Sequence, residues 1–330
     1  MRVLVTGGAG YIGSVTVRML NDGGHDVLVL DDLSKGHRAA LHDARLAEVN
    51  LKDRQAVINT CKGFAPEACM HFAAVSLVGE SVGQPLKYFG INLGGSINLL
   101  DGLIESGCRA LVFSSTAAVY GEPAAVPVEE NAKTEPINPY GHTKLAFERV
   151  LSECERAGDL SYASLRYFNA AGADVEGDLG EDHHPETHLI PLVISAALGL
   201  TPFVSVFGTD YPTPDGTCVR DYIHVLDLCD AHLLALEYLL DGGKSAVYNL
   251  GNGNGFSVRQ VIESIRRVSG GDFEVVEAGR RSGDPPSLVA SSRKISEELG
   301  WKPAFRELDA IVDTAWRWHS SHRNGYAPSR

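Results

Sequence analysis

Through the first half of the chain, short apolar or β-branched runs alternate with longer stretches whose apolar residues recur every three or four positions. This rhythm predicts a parallel sheet covered by helices. The predicted strands are residues 3–6, 26–30, 47–50, 69–73, 111–114 and 161–168. Several are apolar almost throughout, as strands buried on both faces are. Helical spacing covers 12–21, 53–61, 91–105 and 140–156, and Gly107 and Gly158 stand where helices should stop. The fold class is therefore α/β, with a doubly wound parallel sheet. After Asn169 the rhythm breaks into a stretch rich in Gly, Asp, His and Pro that runs to Pro191, followed by a helix-like run and a turn-rich segment to Thr217. Apolar runs return at 222–240 and 247–250, and the tail mixes helices with a polar loop over 279–287. This predicts a first lobe of residues 1–168 plus about 220–250, and a smaller mixed α/β lobe of about 169–219 plus 251–330.

A chain of 330 residues, 44% hydrophobic and 22% charged, is long enough to bury two such cores. Its formal net charge of -13 argues against a nucleic-acid footprint, so an anionic substrate must be met by local arginines. Cys61, Cys69, Cys108, Cys154, Cys218 and Cys229 form no C-x-x-C pair and no disulfide framework, which fits a reducing compartment. The apolar run Val3-Leu4-Val5 is too short for a signal-peptide core, and no stretch approaches membrane-spanning length. A cytoplasmic location and no membrane partner are expected.

Gly7, Gly10 and Gly13 in TGGAGYIG follow the first strand and open the first helix. Glycines there let the backbone turn tightly against a pyrophosphate, and the helix start offers free N–H groups to it. Asp31 ends the next strand, where a carboxylate suits ribose hydroxyls and repels a 2′-phosphate, favouring NAD over NADP. Tyr140 and Lys144 sit at i and i+4 of a helix opened by Asn138-Pro139, so phenol and ammonium share one face. Ser114, Ser115 and Thr116 close a predicted strand, the end at which open α/β sheets bind ligands.

A glycine loop, a strand-end hydroxyl and a later Y-x-x-x-K resemble the extended branch of the short-chain dehydrogenase/reductase superfamily. SSTAAVYG (114–121), NPYGHTK (138–144), RYFNAAGA (166–173), HLIP (188–191), FGTDYPTPDGTCVRDYIHV (207–225) and YNLGNGNGFSV (248–258) narrow the resemblance to the UDP-glucose 4-epimerase family along nearly the whole chain. The long 207–225 segment is the most specific.

That resemblance implies a Rossmann-type fold, an NAD cofactor, a UDP-sugar substrate and a homodimer built on helices of the first lobe, 91–105 and 140–156. It implies NAD contacts from Gly7, Gly10, Tyr11, Ile12, Gly13, Asp31, Asn50, Leu51, Phe72, Ala73, Ala74, Ser76, Asn92, Ser114, Tyr140, Lys144 and Phe168. For the substrate it implies Thr116, Tyr140, Asn169, His188, Leu189, Phe207, Arg220, Arg281, Asp284 and Leu288. Arginine forks suit diphosphate oxygens and an aromatic face suits a base. Three positions depart from the family's commoner pattern: Asn50 for an adenine-contacting aspartate, Ser76 for a lysine near the cofactor phosphates, and Thr116 for serine. Leu288 stands at the gate of the sugar pocket, intermediate between a bulky tyrosine and small residues, which predicts some turnover of N-acetylated sugars.

The expected reaction is reversible C4 epimerisation of UDP-glucose and UDP-galactose through a 4-keto sugar, with Tyr140 as base and Thr116 hydrogen-bonding the same oxygen. A phenol acting as phenolate near pH 7 needs about 4 kcal/mol. One positive charge at roughly 6 Å supplies about 3 kcal/mol, so Lys144 and an oxidised nicotinamide together are expected to suffice. A nucleotide-sugar 4,6-dehydratase shares the loop and the Tyr/Lys pair, but relatives of that kind carry Asp-Glu after the strand-end Thr, where this chain has Ala117 and Ala118. The other alternative is a non-catalytic NAD-binding regulator, against which Tyr140, Lys144 and Thr116 together speak. The cluster Asp182, His183, His184, Glu186 and His188 is read as loop, with no metal expected.

Overall fold

The computed structural model describes residues 1–281 and 284–326; Ser282 and Gly283 of the expected polar loop lie outside the described residues. The chain runs β1 (Arg2–Thr6), α1 (Tyr11–Asp22), β2 (Asp26–Asp31), β3 (Arg45–Glu48), α2 (Arg54–Phe64), β4 (Ala68–His71), α3 (Val78–Gly83) and α4 (Pro85–Tyr88). A π-helical segment, Phe89–Gly95, leads into α5 (Ser96–Ser106), β5 (Ala110–Ser114), α6 (Pro139–Ala157) and β6 (Ser161–Tyr167). Then come β7 (Asn169–Ala171), α7 (Leu189–Ala197), β8 (Phe203–Phe207), β9 (Val219–His224), α8 (Val225–Leu240) and β10 (Ala246–Leu250). The last elements are β11 (Gly255–Ser257), α9 (Val258–Ser269), β12 (Glu274–Ala278), β13 (Ser287–Leu288), α10 (Arg293–Leu299) and α11 (Leu308–Ser321).

Seven parallel strands form the main sheet in the order β10-β6-β5-β4-β1-β2-β3. Alternation along the strands sends Val3, Val5 and Met70 to one face, against α1 and α8, and Leu4, Cys69 and Phe113 to the other, against α2, α5 and α6. The order reverses between β1 and β4, and the crevice beyond their carboxyl ends is where such sheets bind ligands. A smaller set of strands, β7, β11 and β13 around β9, lies beyond this edge with the pair β8 and β12. Behind it, α7, α9 and α11 bury Val193, Ile265 and Ile311 in a third core.

The expected strands and helices of the first half are present, with informative shifts. The third strand is Arg45–Glu48 rather than 47–50, because it is a half-exposed edge strand whose polar ends carry no apolar signal. The fourth stops at His71 rather than 73, because Phe72 and Ala73 both turn their N–H groups onto the Thr6 carbonyl, at 3.0 and 3.1 Å. The helix expected over 91–105 is interrupted: its first part is the π segment, and regular α-helix begins at Ser96. Gly107 and Gly158 end α5 and α6 in the left-handed conformation, as expected.

Candidate active site

The loop after β1 is a backbone cradle. Gly7 has φ +70, and a Cβ there would lie 2.5 Å from the Ala73 nitrogen; a Cβ on Gly13 would lie 2.2 Å from the Gly7 carbonyl oxygen. No side chain fits at either position, so the loop and the first turn of α1 stay open to a phosphate group. Asp31 is buried at the end of β2 and accepts from the N–H of Ala9 at 3.0 Å and of Leu33 at 2.9 Å. Burial raises its pKa, against the pull of these backbone donors. The carboxylate therefore braces the glycine loop at the carboxyl end of β2. These features fit a dinucleotide.

The other expected cofactor residues divide. Tyr11 is buried and donates to the Gly172 carbonyl at 2.6 Å, and Ile12 packs into the core, so neither side chain projects into the open helix start. Phe72, Ala73 and Ala74 line the exit of β4 over Gly7, and Leu51 is buried. Asn50 is exposed and donates to Asp32 at 2.6 Å; Ser76 is exposed. Asn92, on the π segment, clamps Val75 through both its N–H and its carbonyl at 2.9 Å and reaches Thr143 at 3.2 Å. π-helical insertions often mark functional sites, and this one turns an amide toward α6.

On α6, Asn138 caps the helix by accepting from the Gly141 N–H at 2.9 Å, and Pro139 occupies the first turn. This places Tyr140 buried near Thr116, whose hydroxyl acts to lower the phenol's pKa. Lys144 is buried one turn on; its Nζ lies 6.0 Å from the Tyr140 ring centre and donates to the Ser114 carbonyl at 2.8 Å. Burial pushes the Tyr140 phenol up to about 12, with the Thr116 hydroxyl opposing, and pulls Lys144 down to about 7, with Glu148 opposing. Burial, invisible in a sequence, is the largest cause of both shifts and works against forming the expected phenolate.

Sequence reasoning missed the layer behind this pair. Glu148 sits a further turn along α6, takes a two-pronged contact from Arg166 at 2.9 and 2.5 Å, and accepts from the Ser115 hydroxyl at 2.5 Å. His71 is buried between the hydroxyls of Thr6, at 2.6 Å, and Ser96, at 2.7 Å. The only available signal was polar residues inside apolar runs.

In the second lobe a cavity of about 430 Å³ is lined by Asn169, His188, Leu189, Phe207, Arg220, Arg281 and Asp284, seven of the expected substrate residues. Arg220 pairs with Asp284 and donates to its neighbour's carbonyl, that of Val219, at 2.8 Å. The Arg281 guanidinium lies 3.9 Å over the Phe207 ring, so one face of that ring is already covered. Leu288 lies outside this lining. It pairs in register with Arg220 across β13 and β9, and it packs with Phe168 against a cluster that includes Leu145, the residue after Lys144.

Residues 3–251 match the family described as NAD dependent epimerase/dehydratase. The chain belongs to this family. It is 51% identical to a UDP-glucose 4-epimerase of Halalkalibacterium halodurans over 99% of this chain and 98% of that protein. Among solved structures, a UDP-glucose 4-epimerase from Brucella ovis in complex with NAD superposes with a TM-score of 0.93 at 46% identity, covering 96% of this chain and 97% of that one. One from Bifidobacterium longum in complex with NAD+ and UDP gives 0.93 at 35% identity, covering 98% and 100%. The Rossmann-type fold and NAD as cofactor are therefore properties of this family member, and no helix among the described residues is long and apolar enough to cross a membrane.

The loop 181–188 departs from the expected arrangement. Glu181, not singled out in the sequence, comes together with His183, Glu186 and His188, while His184 is exposed and Asp182 turns to His37 and the Tyr326 N–H.

Proposed function

We propose that this chain interconverts UDP-glucose and UDP-galactose by epimerisation at C4, as an NAD-dependent isomerase in which Tyr140, Lys144 and Thr116 perform the proton chemistry. The observation that carries this reading is Tyr140 buried beside Thr116 at the carboxyl edge of the sheet, with Lys144 behind it. When bound, NAD supplies a hydride acceptor for the sugar C4 and a positive charge near Tyr140. Gly7, Gly10 and Gly13 would hold its pyrophosphate and Asp31 its ribose.

Tyr140 takes the proton of the 4-hydroxyl as C4 loses hydride, and Thr116 hydrogen-bonds the same oxygen. The sugar becomes a 4-keto sugar. Bringing Tyr140 from about 12 to neutral pH requires about 7 kcal/mol, and a single positive charge at about 6 Å supplies about 3 kcal/mol. Two charges, on Lys144 and on the cofactor, are needed together, which makes Glu148 important in keeping Lys144 protonated. Inversion requires the ketone to present its other face, so Arg220, Arg281 and Asp284 grip UDP while the sugar turns about its phosphate linkage. Tyr140 would then return the proton to that oxygen as C4 regains its hydride on the opposite face.

Ala117 and Ala118 open the turn after Thr116 and cannot transfer protons, which separates this reading from a 4,6-dehydratase. Conversion of UDP-galactose to UDP-glucose, lost in Tyr140→Phe, tests it.

Finer features belong to the same proposal. We assign NAD to residues 1–168 plus about 220–250 and the nucleotide sugar to about 169–219 plus 251–330, a division in which β9, within 220–250, pairs in the smaller sheet. Val82 and Leu86, 66% and 86% exposed, and the exposed Phe89 and Ile97 at or near the expected helix 91–105 are apolar surface in keeping with a homodimer; sedimentation at the mass of one chain would contradict it. All six cysteines are free, in keeping with the cytoplasm; export of the chain to an oxidising compartment would contradict this. Leu288 leaves room for slow turnover of UDP-N-acetylglucosamine, and complete absence of that turnover would remove this feature alone.

A further inference from the structure

We propose that Glu181, His183, Glu186 and His188 bind one divalent transition-metal ion, zinc by ligand chemistry, which pins the 181–188 segment at the edge of the nucleotide-sugar cavity. The segment holds a single proline, Pro185, and its sequence reads as plain loop. Folding draws one ligand atom from each of the four side chains to within 4.8 Å of all the others. His188 Nδ1 lies 2.6 Å from Glu181 Oε1 and 3.1 Å from Glu186 Oε1, and His183 Nδ1 lies 3.0 Å from Glu181 Oε1. Ligands about 2.0 Å from a tetrahedral zinc are about 3.3 Å apart, so small outward movements of these atoms would frame an ion.

Burial points the same way. The Glu181 side chain is only 4% exposed, and among the described residues the groups that pair with it are the two imidazoles, with no lysine or arginine. A buried carboxylate whose partners are imidazole nitrogens forms a donor set that a divalent cation can also take. The two imidazole rings have centroids 5.4 Å apart, close enough for one ion to take a nitrogen from each.

The surroundings hold the ligands in place. Glu186 Oε1 accepts from the N–H groups of Thr187 at 2.6 Å and His188 at 2.7 Å, which orients its carboxylate as outer hydrogen bonds do around metal sites. The His183 ring stands edge-on to the buried Tyr11, 6.4 Å away. Two imidazoles and two carboxylates suit zinc better than magnesium, which prefers an all-oxygen octahedron. His188 is also the N-cap of α7, so the ion would fix the start of the helix that carries Leu189 into the cavity.

Metal binding is measured without substrate, so this inference stands or falls apart from the epimerase reading. Purified protein is incubated with zinc, desalted and subjected to elemental analysis. About one zinc per chain is expected for the wild type and for His184→Ala, and about a tenfold loss for His183→Ala and for Glu181→Gln. Circular dichroism confirms folding, and His183→Ala, at a partly exposed position, serves if Glu181→Gln does not fold. Cobalt in place of zinc should give visible absorption of a tetrahedral site in the wild type and not in His183→Ala. Wild-type protein without retained zinc, or equal zinc in wild type and His183→Ala, would overturn the proposal and leave a hydrogen-bonded His/Glu cluster.

Discussion

The ammonium of Lys144 is anchored on the main-chain carbonyl of Ser114 at 2.8 Å, so the charge that serves Tyr140 is fixed to the strand end rather than to the phenol itself. Losing that charge leaves Tyr140 a buried phenol. Lys144→Met is expected to lower kcat by about 10²-fold or more with folding intact, since positioned acid–base groups contribute at least this much. Glu148→Gln should lower kcat less and move the alkaline limb of the pH profile to lower pH, because Lys144 then holds its proton less firmly. A kcat in Lys144→Met within threefold of wild type would show that the ammonium has no such role.

The Thr116 hydroxyl accepts from the Ala118 N–H at 3.1 Å and acts to lower the pKa of the neighbouring Tyr140 phenol. Thr116→Ser keeps the hydroxyl and should retain kcat within about threefold, whereas Thr116→Val should lose about 10²-fold. Steady-state rates of both variants decide this; equal losses would mean that the methyl group and its packing matter rather than the hydroxyl.

Arg220 is expected to act on binding. Removing a charged hydrogen bond of about 1.5 to 3 kcal/mol should raise KM for UDP-galactose roughly 10- to 100-fold in Arg220→Met, with kcat little changed. A fall in kcat with KM unchanged would place Arg220 in the chemistry instead.

Burial pulls His71 down to about 3, with Lys144 adding to the effect. The unfolded chain therefore binds a proton below pH 6.5 that the folded chain refuses until about pH 3, so stability falls as pH drops through that window. His224 and His232, pulled by burial to about 3 and about 4, add in the same direction. Urea unfolding of His71→Gln between pH 6 and 4.5 should show a pH slope smaller than that of the wild type by up to about 1.4 kcal/mol per pH unit. Identical slopes would mean that His71 is not the neutral buried group described.

The sequence made the main sheet legible because strands buried on both faces are written as apolar runs, and because Gly7, Gly13, Gly107 and Gly158 stand where no other residue serves the backbone. The Tyr140 and Lys144 pair was legible from helical spacing, and the UDP residues from resemblance. The short strands β7, β11 and β13 were not, since two or three residues carry no periodicity. The π segment was hidden because one inserted residue leaves helical spacing nearly intact. Glu181 was passed over beside three histidines because its partners are chosen by how the loop folds through Pro185, and the burial that moves Tyr140 and Lys144 in opposite directions is a property of packing alone.

The account rests most directly on one assay: purified protein is given UDP-galactose without added NAD, and UDP-glucose is followed alongside Tyr140→Phe. Conversion by the wild type, with a loss of about 10²-fold or more in the variant, is the expected result. If NAD-loaded wild-type protein gives no UDP-glucose, or gives a 4-keto-6-deoxy sugar nucleotide instead, the epimerase mechanism built on Tyr140 is wrong.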